Sequence, residues 1–127
     1  MAEFLHTMVR ITDPEKSRAF YEALGFEERR RMPIRDEAIN VFMGLPGDDP
    51  RLELTYNHGV DSYELGTGYN HIAIAVDDLD GTLEKLSTDG IEPEKPPYRP
   101  GGRTEGPMIA FVRDPDGYRI ELIGRLG

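Results

Sequence analysis

One pattern of predicted secondary structure occurs twice along the sequence, and this repeat constrains the fold more than any other feature. The first half begins with an alternating apolar run at residues 4–11, which predicts a half-buried strand, and Asp13 followed by Pro14 is a strong helix start. The same alternation returns at residues 70–76, and a second helix should begin near Leu79. Each half is therefore predicted to contain a strand, a helix and about three further strands.

The further strands are predicted from short alternating runs that glycine- and proline-rich turns separate. They cover residues 26–32, 38–43 and 51–57 in the first half, and residues 91–95, 108–113 and 118–124 in the second. The helices should cover about residues 14–24 and 79–88, since a glycine, Gly25 or Gly90, follows each one. The chain has 127 residues, enough for one ordinary domain. We therefore expect a single α+β domain made of modules at about residues 1–60 and 68–127.

The composition narrows the classes of function. A formal net charge of −9 argues against a nucleic-acid partner, because binding to phosphates requires clustered Lys and Arg side chains. With no cysteine, the chain has neither thiolate chemistry nor a disulfide framework. No apolar run is long enough to span a bilayer, and residues 1–10 lack the basic start and apolar stretch of a signal peptide. We expect a cytoplasmic protein without a membrane partner.

Each half carries one histidine near the start of its first strand and one glutamate in its last strand: His6 with Glu53, and His71 with Glu121. Taken singly, such a glutamate usually marks the solvent face of an amphipathic strand. The repetition favours a shared site. If the two sheets curve toward each other, two imidazoles and two carboxylates line one concavity, a ligand set that suits Ni²⁺, Co²⁺, Zn²⁺, Mn²⁺ or Fe²⁺.

Two further polar residues share faces with these candidate ligands. Strand alternation places Arg10 on the face of His6, and Asn57 on the face of Glu53. The segment from Arg99 to Arg103 carries two glycines, but no convincing helix start follows it, so a phosphate-binding loop is weakly supported. A flexible loop that contacts a ligand is the preferred interpretation of this segment.

These motifs resemble the glyoxalase I (lactoylglutathione lyase) group of the vicinal-oxygen-chelate superfamily, over essentially the whole chain. The resemblance rests on motifs that occur in the same order and spacing: Leu5-His6-Thr7-Met8-Val9-Arg10, Glu53-Leu54-Thr55-Tyr56-Asn57, Tyr63-Glu64-Leu65-Gly66-Thr67-Gly68, His71-Ile72-Ala73 and Asp114-Pro115-Asp116-Gly117-Tyr118-Arg119-Ile120-Glu121-Leu122. It implies paired βαβββ modules that form a cupped, barrel-like mixed sheet, the glyoxalase/bleomycin-resistance/dioxygenase fold.

The resemblance also implies a homodimer with shared active sites. In such a dimer His6 and Glu53 of one chain, together with His71 and Glu121 of the other, bind a divalent metal ion. The chain lacks the longer insertions of the zinc-dependent branch and so is more similar to the branch that Ni²⁺ or Co²⁺ activates. Ni²⁺ is the expected metal, with Co²⁺, Zn²⁺ and Mn²⁺ as alternatives.

The implied substrate is the hemithioacetal that methylglyoxal forms with glutathione, and the implied product is S-lactoylglutathione, in methylglyoxal detoxification. Glu121 would be the catalytic base that moves a proton between adjacent carbons, with Glu53 as its counterpart across the metal. Arg10 and Asn57 match positions that hold the glutathione moiety. Arg99 or Arg103 would replace a lysine of the family, and the sequence does not choose between them.

Two other classes of function are compatible with the motifs. One is another vicinal-oxygen-chelate metalloenzyme, such as an epimerase, an extradiol dioxygenase or a thiol transferase, although these generally use three protein ligands or a different second ligand. The other is a metal-free resistance protein that binds a small molecule, which would have no need for four residues of ligand type. The thiol also stays open, because a host without glutathione would use another.

Overall fold

A computed structural model describes residues 1–125, and it divides them into two compact units, Met1–Glu64 and a second unit that begins at Leu65. Each unit contains a mixed β-sheet and one α-helix, which confirms the α+β class. Neither α-helix of residues 1–125 is long and apolar enough to cross a membrane. The last two positions of the predicted second module lie outside the described residues, and the single-domain organisation stays a prediction.

The first unit contains the strand, helix and three strands that the sequence predicts. Its elements are β1 (Thr7–Ile11), α1 (Pro14–Ala23), β2 (Glu27–Ile34), β3 (Ala38–Gly44) and β4 (Leu52–Asn57). The strand order is β1-β4-β3-β2, with β1 parallel to β4 and the other neighbours antiparallel. Asp13 caps α1 by accepting backbone hydrogen bonds from Glu15 and Lys16, as its sequence position predicts.

The predicted first strand begins too early. Phe4 and Leu5 are exposed by 65% and 63%, and the parallel ladder starts only at Thr7, whose N–H donates to the Arg51 carbonyl at 2.9 Å. The alternation of apolar and polar residues does not show where the hydrogen-bonding partners of β1 on β4 begin. As a consequence His6 lies immediately before β1 rather than inside it.

The two faces of the first sheet have opposite character. One face is apolar, and the buried residues of this unit include Val9, Ile11, Phe20, Tyr21, Leu24, Val41, Met43, Leu52 and Leu54. Burying each such large side chain contributes roughly 1.5–3 kcal/mol. The opposite face carries the polar residues of β1 and β4, and Glu53 on it is one of the few buried charged groups. Glu53 and its polar neighbours therefore lie on a sheet whose other face is packed in the apolar core.

The second unit repeats this plan with one strand fewer. Its elements are β5 (His71–Val76), α2 (Leu79–Thr88), a short 3₁₀ turn (Pro100–Gly102), β6 (Ile109–Arg113) and β7 (Arg119–Gly124). The order is β5-β7-β6, with β5 parallel to β7. Asp78 caps α2, and the predicted tight turn joins β6 to β7 through a hydrogen bond from the Gly117 N–H to the Asp114 carbonyl at 2.9 Å.

The predicted strand at residues 91–95 is wrong. The hydrogen bond that this segment makes to a strand runs from the Glu94 N–H to the Phe111 carbonyl at 2.8 Å, and an isolated bridge follows between Tyr98 and Ile109. Pro93, Pro96 and Pro97 lack the N–H groups that a continuous ladder requires. Among the described residues, the second sheet therefore has three strands.

Candidate functional site

In the first unit, His6 and Glu53 form a close pair. Glu53 is the second residue of β4, in register with Met8 of β1 and Phe42 of β3, and only 9% of the residue is exposed. The parallel pairing of β1 with β4 sets His6 two positions before Met8, next to Glu53. The His6 Nε2 and Glu53 Oε2 atoms are 2.9 Å apart. The imidazole is the more exposed member of this pair, at 39% against 12% for the carboxylate side chain.

In the second unit, His71 and Glu121 form an equivalent pair. Glu121 lies in β7, in register with Ala73 of β5 and Phe111 of β6. The His71 Nε2 and Glu121 Oε1 atoms are 3.1 Å apart, and the side chain of Glu121 is 17% exposed. The same parallel pairing of first and last strand brings histidine and glutamate together in both units. The repeat seen in the sequence is thus a repeat of side-chain geometry.

A phenylalanine ring lies beside each histidine and an arginine stacks on that ring, and neither contact was predicted from the sequence. The His6 ring meets Phe42 edge to face at 5.9 Å between centroids, and the His71 ring meets Phe111 in the same way at 5.1 Å. The Cζ atom of Arg30 lies 4.3 Å from the centre of the Phe42 ring. The repeat offered a signal for the rings, since each phenylalanine lies in the strand just before its glutamate strand.

The same kind of stacking occurs in the second unit, where the Cζ atom of Arg119 lies 4.0 Å from the centre of the Phe111 ring. Arg119 is further tied to the Glu94 carboxylate by two hydrogen bonds of 2.9 and 2.8 Å. These bonds, together with the charges of Arg119 and Arg113, hold the pKa of Glu94 below its usual range. The Nη1 atom of Arg119 also donates to the Oδ1 atom of Asn70 at 2.9 Å.

The spacing inside each pair fits a bound metal ion. Two ligand atoms about 2.1 Å from one ion, at right angles to each other, lie about 3 Å apart, and the two observed separations are 2.9 and 3.1 Å. Imidazole nitrogen and carboxylate oxygen are suitable ligands for Ni²⁺, Co²⁺, Zn²⁺ and Mn²⁺. Each pair supplies only half of a four-ligand set. Within residues 1–125, no group of three or more His, Cys, Asp or Glu side chains is placed to hold a metal.

The predicted substrate-binding residues divide between the two units. Arg10 lies on β1 in register with Thr55, on the sheet face that carries Glu53. Asn57 ends β4, and its Nδ2 atom donates to the Tyr63 hydroxyl at 2.9 Å. Arg99 uses its Nε atom to bind the Gly106 carbonyl of its own loop at 3.0 Å, while Arg103 is exposed. Arg10 lies on β1, which begins directly after His6, and Asn57 lies on β4, which also carries Glu53. Arg99 and Arg103 lie on a loop and not on a strand.

The chain matches a known protein family along most of its length. The family model for the Glyoxalase/Bleomycin resistance protein/Dioxygenase superfamily matches residues 3–122. The chain therefore belongs to this superfamily.

Several relatives that match along most of their length are lactoylglutathione lyases. The chain is 43% identical to the lactoylglutathione lyase of Escherichia coli O157:H7 over 125 residues, which are 94% of this chain and 90% of that protein. A solved structure of the trypanothione-dependent glyoxalase I of Leishmania major superposes with a TM-score of 0.83 at 36% identity, covering 98% of this chain and 87% of that one.

The plant relatives are longer. The chain is 41% identical to a probable chloroplastic lactoylglutathione lyase of Arabidopsis thaliana over 127 residues, which are 95% of this chain but only 35% of that protein. The chain thus spans about a third of the length of this relative, and less than half of two further plant relatives.

Proposed function

We propose that the chain is a lactoylglutathione lyase that isomerises the methylglyoxal–glutathione hemithioacetal to S-lactoylglutathione, and so removes methylglyoxal in the cytoplasm. The observation that carries this proposal is the duplicated imidazole–carboxylate pair, His6 with Glu53 and His71 with Glu121, on equivalent strands of two similar units. The 43% identity to a protein of that name along 90% of its length supports the same conclusion.

The proposed chemistry is a proton transfer between adjacent carbon atoms. A divalent ion held by His6, Glu53, His71 and Glu121 would supply Lewis-acid stabilisation of the negative charge that develops on the substrate oxygens. Glu121 removes the proton from C1 of the hemithioacetal and returns a proton to C2, so no electron acceptor is needed. The side chain of Glu121 is 17% exposed and lies beside His71, so the carboxylate can reach a substrate that is bound to the metal.

We further propose that Ni²⁺ is the native metal and that the active site forms in a homodimer. The mixed nitrogen and oxygen ligands support a first-row divalent ion. The pairing of one imidazole with one carboxylate in each unit supports assembly of the four ligands from the first pair of one chain and the second pair of another.

Turnover should require the metal. Purified protein that is assayed with methylglyoxal and glutathione should form S-lactoylglutathione, lose activity when a chelator removes the metal, and regain it on addition of Ni²⁺ or Co²⁺ more than on addition of Zn²⁺. The assay should be repeated with trypanothione, because one relative depends on that thiol. If metal-replete protein turns over neither hemithioacetal, the proposed function is wrong. Activity that survives complete metal removal would also contradict it.

Arg10 should bind the anionic thiol moiety of the substrate. The Arg10→Ala variant should raise KM about 10- to 100-fold with little change in kcat, because a charge-assisted hydrogen bond contributes roughly 1.5–3 kcal/mol. The matched control is Lys16→Ala, which removes an exposed cation from α1. The values of KM and kcat for wild type and both variants are measured by steady-state kinetics at saturating metal. An unchanged KM in Arg10→Ala would refute the assignment.

A further inference from the structure

We infer that Asn70 is a positioning residue for His71, which fixes the imidazole so that Nε2 presents its lone pair to the metal. The inference rests on the proposed function, since it concerns the same metal. It is based on a hydrogen bond between the two neighbouring side chains, in which the Oδ1 atom of Asn70 lies 2.5 Å from the His71 Nδ1 atom. A neutral imidazole has one N–H and one lone pair, so the partner of Nδ1 determines what Nε2 can do.

The orientation of the Asn70 amide follows from its second partner. Arg119 Nη1 lies 2.9 Å from the same Asn70 atom. A guanidinium group can only donate hydrogen bonds, so the Asn70 atom that it contacts must be the carbonyl oxygen and not the amide nitrogen. That oxygen can only accept. The hydrogen between Asn70 and His71 therefore belongs to the His71 Nδ1 atom. The Nε2 atom, which lies 3.1 Å from Glu121 Oε1, is then the nitrogen on the side of the proposed ligand Glu121 and can coordinate the ion together with it.

Arg119 is itself held in place, which makes the amide orientation rigid. Its guanidinium group bonds to both oxygens of Glu94 and lies 4.0 Å from the centre of the Phe111 ring. The Phe111 ring in turn meets the His71 ring edge to face. The imidazole is thus fixed both by a hydrogen bond at Nδ1 and by an aromatic contact. Partners of this kind beyond the metal ligands commonly set the orientation and basicity of a metal-binding histidine.

The first unit offers a comparison, because the residue before its histidine has no side-chain group that can accept a hydrogen bond. Leu5 precedes His6 as Asn70 precedes His71, and its side chain is apolar and 63% exposed. A leucine side chain has no group that can accept a hydrogen bond. Leu5→Ala is therefore a matched control for Asn70→Ala, since each variant truncates the residue just before a candidate ligand.

The experiment measures metal affinity rather than turnover. Wild type, Asn70→Ala, Asn70→Asp and Leu5→Ala are purified metal-free, and Ni²⁺ and Zn²⁺ affinities are determined by competition with a chelating indicator. Asn70→Ala should bind both ions about 10- to 100-fold more weakly than wild type. Asn70→Asp keeps an acceptor oxygen at the same place and should stay within about tenfold of wild type, as should Leu5→Ala. Circular dichroism of the metal-free proteins checks that each variant folds.

A second readout follows the proton itself. In Zn²⁺-loaded protein with ¹⁵N-labelled histidine, the His71 Nδ1 proton should exchange with water more slowly than that of His6, and Asn70→Ala should remove this protection. Equal affinities for folded Asn70→Ala and wild type would overturn the inference, as would equal losses in Asn70→Ala and Asn70→Asp. If wild type binds neither ion, the metal centre of the proposed function is wrong as well. If instead wild type and Asn70→Ala bind the ions equally well, only the role of Asn70 is wrong and the proposed metal centre stands.

Discussion

The Glu121→Gln variant should lose nearly all turnover, with kcat lower by about 10²- to 10⁴-fold. Glutamine has almost the same shape as glutamate and keeps an oxygen that can face a metal, but it cannot accept a proton. The local packing favours Glu121 over Glu53 as the base. Glu121 is in register with the small residue Ala73, whereas Glu53 is in register with Met8, so a substrate carbon has more room beside Glu121.

The measurement is kcat at saturating metal and substrate, with the metal content of each variant determined in parallel. Glu84→Gln is the matched control, because Glu84 is an exposed carboxylate on α2 that lies outside the proposed site, and this variant should keep normal turnover. Glu53→Gln should lose less kcat than Glu121→Gln. A near-normal kcat in metal-replete Glu121→Gln would remove Glu121 as the base, and a greater loss in Glu53→Gln would exchange the two roles.

The repeat in the sequence allowed most of the fold and the two His–Glu pairs to be predicted. The helices and strands depend on local signals, whereas the pairs, whose members are 47 and 50 positions apart, depend on the repeated order of those elements. Alternating apolar residues, Asp caps and terminal glycines are visible in any single segment, and the boundaries of α2 were predicted to the residue. The pairing of His71 with Glu121 followed from the repeated order of the elements, since strands that occupy equivalent places in two units bring equivalent residues together.

The remaining features depend on contacts between distant segments and could not be predicted in the same way. The bonds that join Arg119 to Glu94 and to Asn70 connect residues 25 and 49 positions apart. Sequence periodicity gives the face on which a strand residue lies but not the partner that reaches it from a loop. The strand predicted at residues 91–95 was wrong for a related reason. Its apolar and polar residues alternate like those of a strand, but its prolines prevent a continuous ladder of hydrogen bonds.

A dimer with shared sites predicts that two inactive variants restore each other. Loss of a residue that only supports a metal ligand commonly lowers metal affinity or activity by about 10- to 100-fold. His6→Ala and His71→Ala each remove a proposed ligand itself, so each should lower turnover by more than about 100-fold. If each site combines the first pair of one chain with the second pair of another, a mixed dimer has both defects in one site and none in the other. Mixed dimers isolated with two different affinity tags should then show about half of the wild-type activity.

The control for this experiment uses two defects within one pair. In mixed dimers of His6→Ala with Glu53→Ala, each of which lacks one proposed metal ligand, each site would contain one damaged first pair, so activity should not return. The two residues are 2.9 Å apart in one unit, and either substitution damages the same half-site. Recovery in the first mixture but not in the second is what shared sites require. If verified mixed dimers of His6→Ala with His71→Ala stay inactive, the four ligands are not divided between two chains in this way, because no intact combination has formed.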